Sequence, residues 1–288
     1  MMIMNRRNSD STDLTMGLEA LESIQSFMRR DHYTGYDPYD GLNSCFLKNS
    51  IFYKSELIRL AWIQFFKCSP INFRRIFQVP QSFNPKAGGL FLMGFIKLSD
   101  QTHDKKYLEE CHRLYDLLKQ TMIKREVGVA WGYNFDWQAK AFYVPVGTPN
   151  VVSSVYIGNG LLDFSEVGRE ESTRRLAQGV KDFILSEMIL REDGQHLVFA
   201  YIPNEKAEVH NASLLAAAFL SRFVQDDPSL ATRIHKAVRF SIGDIQTNGY
   251  WPYGTMPHHR WMDNFHTAFN LEALLTIRKN LTTTEYDE

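Results

Sequence analysis

The sequence predicts an all-α fold of helical hairpins, with short strands or extended loops gathered at one end. Three observations predict it. Long apolar runs alternate with runs whose apolar residues recur at helical spacing, the pattern of helices in an inner and an outer layer. Three times, an aromatic-x-Tyr segment leads through a polar loop to an Asn and an apolar or aromatic run. The copies are Trp131-Gly-Tyr133 to Asn150, Phe199-Ala-Tyr201 to Asn211, and Trp251-Pro-Tyr253 to Asn264. These Asn residues lie 61 and 53 positions apart (150 to 211, 211 to 264), with Asn84 marking an earlier copy 66 before Asn150. Such periods belong to stacked supersecondary units.

Residues 1–12 are polar and expected to be disordered. Asp13 can cap a helix whose Leu14, Leu18, Leu21 and Met28 share a stripe, an amphipathic outer helix. His32 to Leu42 contains Asp37-Pro and Asp40-Gly steps, which favour turns. Residues 51–66 are apolar with few breaks, as in a helix buried on much of its circumference, and 72–77 reads as a short amphipathic partner. A second pair covers 86–98 and 104–122, where Tyr107, Cys111, Leu114 and Leu118 form the outer stripe. The third covers 150–164 and 170–188, with Leu176, Val180, Phe183 and Ile184; the fourth covers 211–223 and 228–245, with Leu230, Ile234, Val238 and Ile242. Ala216-Ala-Ala218 permits close helix approach in the fourth inner helix. A fifth inner helix, 264–278, has no partner downstream. Between the pairs, 129–137 and 196–202 read as short strands or extended loops. The whole of 13–280 is read as one domain, with 281–288 frayed.

With 288 residues, 44% hydrophobic and 23% charged, the chain can bury a sizeable core. A formal net charge of -1 argues against a general nucleic-acid binder, which needs a concentrated positive field. No run of 18 apolar residues predicts a membrane span. No apolar run follows Arg6 and Arg7, so no signal peptide is read and a cytoplasmic location is expected. Cys45, Cys68 and Cys111 lack metal-ligand spacing and are too few for a disulfide framework; neither metal nor cofactor is expected.

Inner and outer helices in alternation, with aromatic and acidic loops before each inner helix, resemble the (α/α) toroids of six-hairpin glycosidases, uronate epimerases and lyases, and terpenoid cyclases. The likeness runs from about residue 50 to the end and implies five to six hairpins. Fold likeness does not fix function. The stretch Trp261-Met-Asp-Asn-Phe-His-Thr267 looks like one in uncharacterised proteins associated with bacterial surface-polysaccharide synthesis. The acid motif of class II terpene cyclases, Asp-x-Asp-Asp, is absent, and no Cys accompanies Asp263 and His266 to match prenyltransferase zinc ligands. His210 and His266 match the paired histidines of N-acylglucosamine epimerases in type, without the surrounding motifs.

Residues 251–275 hold the densest set of groups able to move protons or bind polar ligands. Asp263 and His266, three apart at a helix start, form a candidate acid/base pair, against a plain capping role for Asp263 or Asn264. His210 is the third catalytic candidate, with a core or capping role as its alternative. Tyr133, Tyr201, Tyr253, Trp137, Trp251 and Trp261 are candidate sugar platforms or phenol donors, against simple packing. His258 and His259 are read as loop contacts to substrate, and Asn150 and Asn211 as binding residues or helix caps. Asp136 with Asp263 is a candidate two-carboxylate arrangement, as is Asp37 with Asp40. The expected function is acid/base chemistry on a sugar or uronate in polysaccharide assembly. The other readings are a glycan-binding scaffold and a terpenoid-type cyclase.

Overall fold

A computed structural model describes residues 16–17, 19–138, 143–168 and 170–286. Asp13, Leu14, Leu18, the 1–12 segment and residues 287–288 lie outside the described residues. Contacts group the chain into two units, 1–84 with 137–142 and 85–136 with 143–288.

The larger unit is built from hairpins. Helix α4 (Pro85–Thr102) packs on α5 (Lys105–Gln120), α6 (Val151–Gly168) on α7 (Glu171–Glu187), and α8 (His210–Ser221) on α9 (Leu230–Ile242). The first member of each pair, together with α10 (Asn264–Leu281), forms an inner row in which α6 lies between α4 and α8, and α8 packs on α10. Composition explains the layering. All twelve residues of α8 are buried, whereas α5, α7 and α9 bury only a stripe. In α5 that stripe is the expected Tyr107, Cys111, Leu114 and Leu118, and Asp104 caps the helix by accepting from the Lys106 N–H at 2.9 Å. Inner helices touch closely because small residues meet. A Cβ on Gly89 of α4 would stand 3.0 Å from the Ile157 backbone of α6.

A short antiparallel hairpin enters two of the inner helices. β3 (Ile123–Lys124) pairs with β4 (Val129–Ala130) ahead of α6, and β7 (Ile189–Glu192) with β8 (Leu197–Phe199) ahead of α8. Each hairpin is pinned by a Ser in the fourth position of the helix that follows. Ser154 accepts from the Trp131 N–H at 3.0 Å, and Ser213 from the Phe199 N–H at 3.2 Å. Successive repeats are then stitched together. The first N–H of α6, on Val151, donates to the Tyr201 carbonyl at 3.0 Å, and the first of α8, on His210, to the Tyr253 carbonyl at 3.1 Å. These bonds satisfy donors that a helix start leaves open.

Bridges Gly132 to Pro149 and Val209 to Gly254 hold the same loops, and both glycines are there for close approach. A Cβ would lie 2.2 Å from Thr148 O at Gly132 and 2.4 Å from Glu208 O at Gly254. Gly254→Ala is therefore expected to destabilise by about 2 kcal/mol or more, read as a lower urea midpoint, because the obstacle is backbone and cannot swing aside. At the end of the chain, Glu285 and Tyr286 lie against His235 of α9.

The smaller unit holds a helix over 19–30 (α1), β1 (Thr34–Gly35), α2 (Cys45–Lys48), α3 (Glu56–Cys68), β2 (Ser82–Phe83) and β5 (Trp137–Gln138); β6 (Tyr143–Val144) belongs to the larger unit. Two expectations are corrected here. Residues 72–77 form turns, not a helix, because the Asn72 side chain accepts from the Arg74 N–H in a local turn and Arg74 is drawn inward. Of the α1 stripe's described residues, Leu21 is exposed and Met28 half-buried, and Gln25 is the side chain the helix buries among its described residues.

Asp37 and Asp40 serve this unit's architecture. Arg74 Nε donates to Asp40 Oδ1 at 2.7 Å, and Asp40 Oδ2 accepts from the Asp37 N–H at 2.9 Å. Asp37 in turn accepts from the Asn84 side chain at 3.0 Å. Burial raises the pKa of Asp40, and Arg74 and the Asp37 N–H pull it only part of the way back. Beside this pair, Trp62 packs edge-on against Phe66 and Phe77 and donates from Nε1 to Gly41 O at 3.1 Å.

Candidate active site in the larger unit

The Tyr-bearing loops of three successive repeats meet. The Tyr133 and Tyr201 hydroxyls are 2.6 Å apart, a phenol–phenol hydrogen bond. Tyr253 lies close enough to both for the phenols to feel one another's charge. Burial, with Tyr133 next, raises Tyr201 well above its ordinary value. Burial, with Tyr133 and Asp263, pushes Tyr253 up to about 12. Tyr201 and Tyr253 therefore stay protonated at neutral pH and can donate hydrogen bonds.

Tyr253 is the hinge between this cluster and the α10 start. Its ring stacks on Trp261 at 4.5 Å and meets His266 edge-on at 4.8 Å and His259 edge-on at 5.2 Å. Asp263 is the N-cap of α10, accepting from the His266 N–H at 2.7 Å. The same carboxylate lies 2.9 and 3.0 Å from His266 Nδ1. Capping and pairing are thus one arrangement. Burial works against the Asp263 charge, but the His266 N–H and ring outweigh it and its pKa falls below the usual carboxylate range. The tautomer that satisfies this contact carries the proton on Nδ1, leaving the His266 Nε2 lone pair without a protein partner among the described residues.

His210 enters a different network. Its side chain is wholly buried, with Nε2 2.9 Å from Asp244, which also takes Arg260 Nη1 at 2.5 Å. Burial lowers the His210 pKa, and Asp244 only partly restores it. His259 is lowered too, by burial and then by His258. A lowered histidine pKa means that the folded state binds fewer protons than the unfolded one. The stability contributed is therefore complete above an unfolded pKa of about 6.5 and is lost as pH falls below it. Melting temperature is expected to drop between about pH 7 and about pH 5, less steeply in His210→Gln; equal slopes would show that His210 does not titrate with unfolding.

Other candidates are placed as follows. Asn150 caps α6, its Oδ1 accepting from the Ser153 N–H at 2.7 Å. Asn211 does not cap α8, whose N-cap is Val209; it is the helix's second residue and is buried. Asp136 is buried and takes the Val146 N–H at 2.7 Å. Trp137 belongs to the smaller unit, in β5. Trp251 is buried, while the His258 ring sits 4.2 Å from that of His259. Several buried polar atoms of these segments find no protein partner among the described residues: Asn150 Nδ2, Ser153 Oγ, Asn211 Oδ1, Trp251 Nε1, His259 Nδ1 and Asn270 Oδ1. Such groups call for water or a polar ligand.

No protein-family model and no curated protein sequence matches this chain. Solved structures do match. The cellobiose 2-epimerase of Spirochaeta thermophila DSM 6192 superposes with TM-score 0.54 at 13% identity, over 86% of this chain and 72% of that one. A family 76 glycoside hydrolase from a bovine Bacteroides thetaiotaomicron strain superposes with TM-score 0.54 at 10% identity, over 70% of this chain and 45% of that one. The cellobiose 2-epimerase of Bacillus thermoamylovorans B4167 gives 0.50 at 12% identity, over 71% and 60%.

The fold is an (α/α) toroid of the six-hairpin class. The chain spans only 45% of the hydrolase and 60% of the Bacillus epimerase, and identities this low concern the fold alone. In such a toroid the loops entering the inner helices share one end, and polar residues on the inner helices themselves can join them. Three of these escaped the sequence reading. Tyr156 of α6 is pushed up to about 12 by burial, then by Glu272 of α10 and by Tyr133. Lys86 of α4 holds its ammonium 5.3 Å from the Tyr156 ring centre. The available signal was a charged or phenolic residue inside an otherwise apolar inner helix.

Proposed function

We propose that this protein is a carbohydrate-active enzyme that performs acid/base chemistry on a sugar or uronate where the Tyr133, Tyr201 and Tyr253 loops meet the start of α10. The observation that carries this reading is the pairing of His266 Nδ1 with Asp263, 2.9 Å apart, beside a phenol cluster drawn from three repeats. In this reading His266 Nε2 takes or returns a proton, and Asp263 fixes the tautomer and stabilises the imidazolium that forms. The Tyr133 and Tyr201 hydroxyls bind sugar oxygens. The stacked Tyr253 and Trp261 give a sugar ring an apolar surface, with His259 edge-on to Tyr253 and His258 beside it. His210 acts as a positioning residue: its N–H holds the Tyr253 carbonyl while its ring is anchored by Asp244. The substrate belongs to polysaccharide assembly or modification in the cytoplasm.

The polar set of Asp263, His266, Glu272 and Lys86 weighs against a carbocation cyclase, which wants walls that are apolar and aromatic. Turnover of nucleotide sugars, uronates and oligosaccharides, followed by product chromatography for wild type, Asp263→Ala and His266→Ala, tests the proposal. Turnover in wild type that collapses in both variants is the expected result. Equal turnover in all three removes these roles, and binding without turnover, kept in both variants, replaces the enzyme with a glycan-binding protein.

A further inference from the structure

Residues 41–84 of the smaller unit carry a feature that the proposed chemistry does not use. Phe46, Ile51, Phe52, Leu57, Ile71 and Ile76 are between 57 and 82% exposed. They stand on short helices and turns: Phe46 on α2, Ile51 and Phe52 on the 3-10 turn Ile51–Lys54, Leu57 at the start of α3, and Ile71 and Ile76 on turns. Phe46 is tied to the aromatic core of its unit, stacked on Trp62 at 6.3 Å and edge-on to Phe77 at 5.8 Å. Isolated apolar side chains on a surface are ordinary. Six so exposed within one segment are not.

The same segment is basic. Lys48, Lys54, Arg59, Lys67, Arg74 and Arg75 face one acidic residue, Glu56, a net +5 in a chain whose total is -1. Arg74 is neutralised by Asp40, but Lys48, Lys54, Lys67 and Arg75 are exposed. Protruding aliphatic and phenyl groups interleaved with exposed cations are complementary to an anionic lipid surface, where the apolar groups enter the acyl boundary and the cations meet phosphates. A second copy fits worse, because with Arg74 neutralised a two-fold contact would still press +4 against +4. No described helix is long and apolar enough to cross a membrane, so the contact is with the surface.

We propose that residues 46–76 dock this protein reversibly on an anionic membrane surface, independently of what its candidate active site does. The full-length protein is mixed with vesicles of phosphatidylcholine alone and of phosphatidylcholine with phosphatidylglycerol, and the sedimented fraction is measured. Sedimentation with the anionic vesicles only, lost at high salt, is expected. Lys54→Gln/Arg75→Gln should weaken it about 30-fold, two basic residues' worth at an anionic surface. Ile51→Ser/Phe52→Ser should weaken it about 100-fold, with circular dichroism unchanged since both side chains are exposed. Three results would overturn the proposal: no sedimentation with anionic vesicles, equal sedimentation with both vesicle types, or variants that bind like wild type. A dimer in light scattering that Ile51→Ser/Phe52→Ser dissolves, without vesicle binding, would assign the patch to a second copy instead.

Discussion

Asp263→Asn is expected to lower kcat/KM by about 10²- to 10⁴-fold on whatever sugar wild type turns over, the span that a positioned proton-transfer group contributes. The substitution isolates charge from structure. Asparagine caps a helix as well as aspartate, so the bond from the His266 N–H at 2.7 Å has a replacement acceptor and α10 should keep its start. What disappears is the negative charge beside Nδ1, and with it the stabilisation of an imidazolium. Because the Asp263 pKa lies below its ordinary value, that charge is present throughout the neutral range. The expected signature is therefore a fall in kcat at every pH from about 5 to about 9, with a melting temperature close to wild type. A variant with full turnover would reduce Asp263 to a cap.

Asp40→Ala is expected to destabilise the smaller unit by about 3–5 kcal/mol, because it strands a buried guanidinium. The Arg74 and Asp40 side chains are 10 and 4% exposed, and the carboxylate also takes the Asp37 N–H. Asp40→Asn, whose single carbonyl oxygen can keep one of the two bonds, should cost less than Asp40→Ala. Urea unfolding read by tryptophan fluorescence measures both, since Trp62 donates to Gly41 next to the pair. A loss below about 1 kcal/mol in Asp40→Ala would mean that Arg74 reaches water when its partner is removed.

Much of the larger unit was legible without coordinates because its signals are local. The α5 stripe and its Asp104 cap need only helical periodicity and one side chain at the right offset. The Trp131, Phe199 and Trp251 segments announced three related loops, and two of them end at bridged, close-packed glycines. The same reasoning misplaced 72–77, where an apolar pattern suited a helix but the Asn72 turn and the inward pull on Arg74 decided otherwise. It also misaligned Asn211 with Asn150. Asn211 stands two residues beyond the cap position, a rotation of about 200° along a helix, enough to turn a cap into a second-position side chain.

The sequence by itself determined the helices, their two layers and the polar character of the loops, because period, capping and burial are written in residues a few positions apart. Only the tertiary structure decided which groups meet. Tyr133 and Tyr201 are 68 residues apart and share a hydrogen bond, Tyr156 answers to Glu272 across two inner helices, and the His210 ring turns to Asp244 rather than to His266. Each of these depends on how the helices and their loops pack together, as Gly89 packs against Ile157 between α4 and α6. Such contacts join positions far apart in the chain, and no local pattern records them.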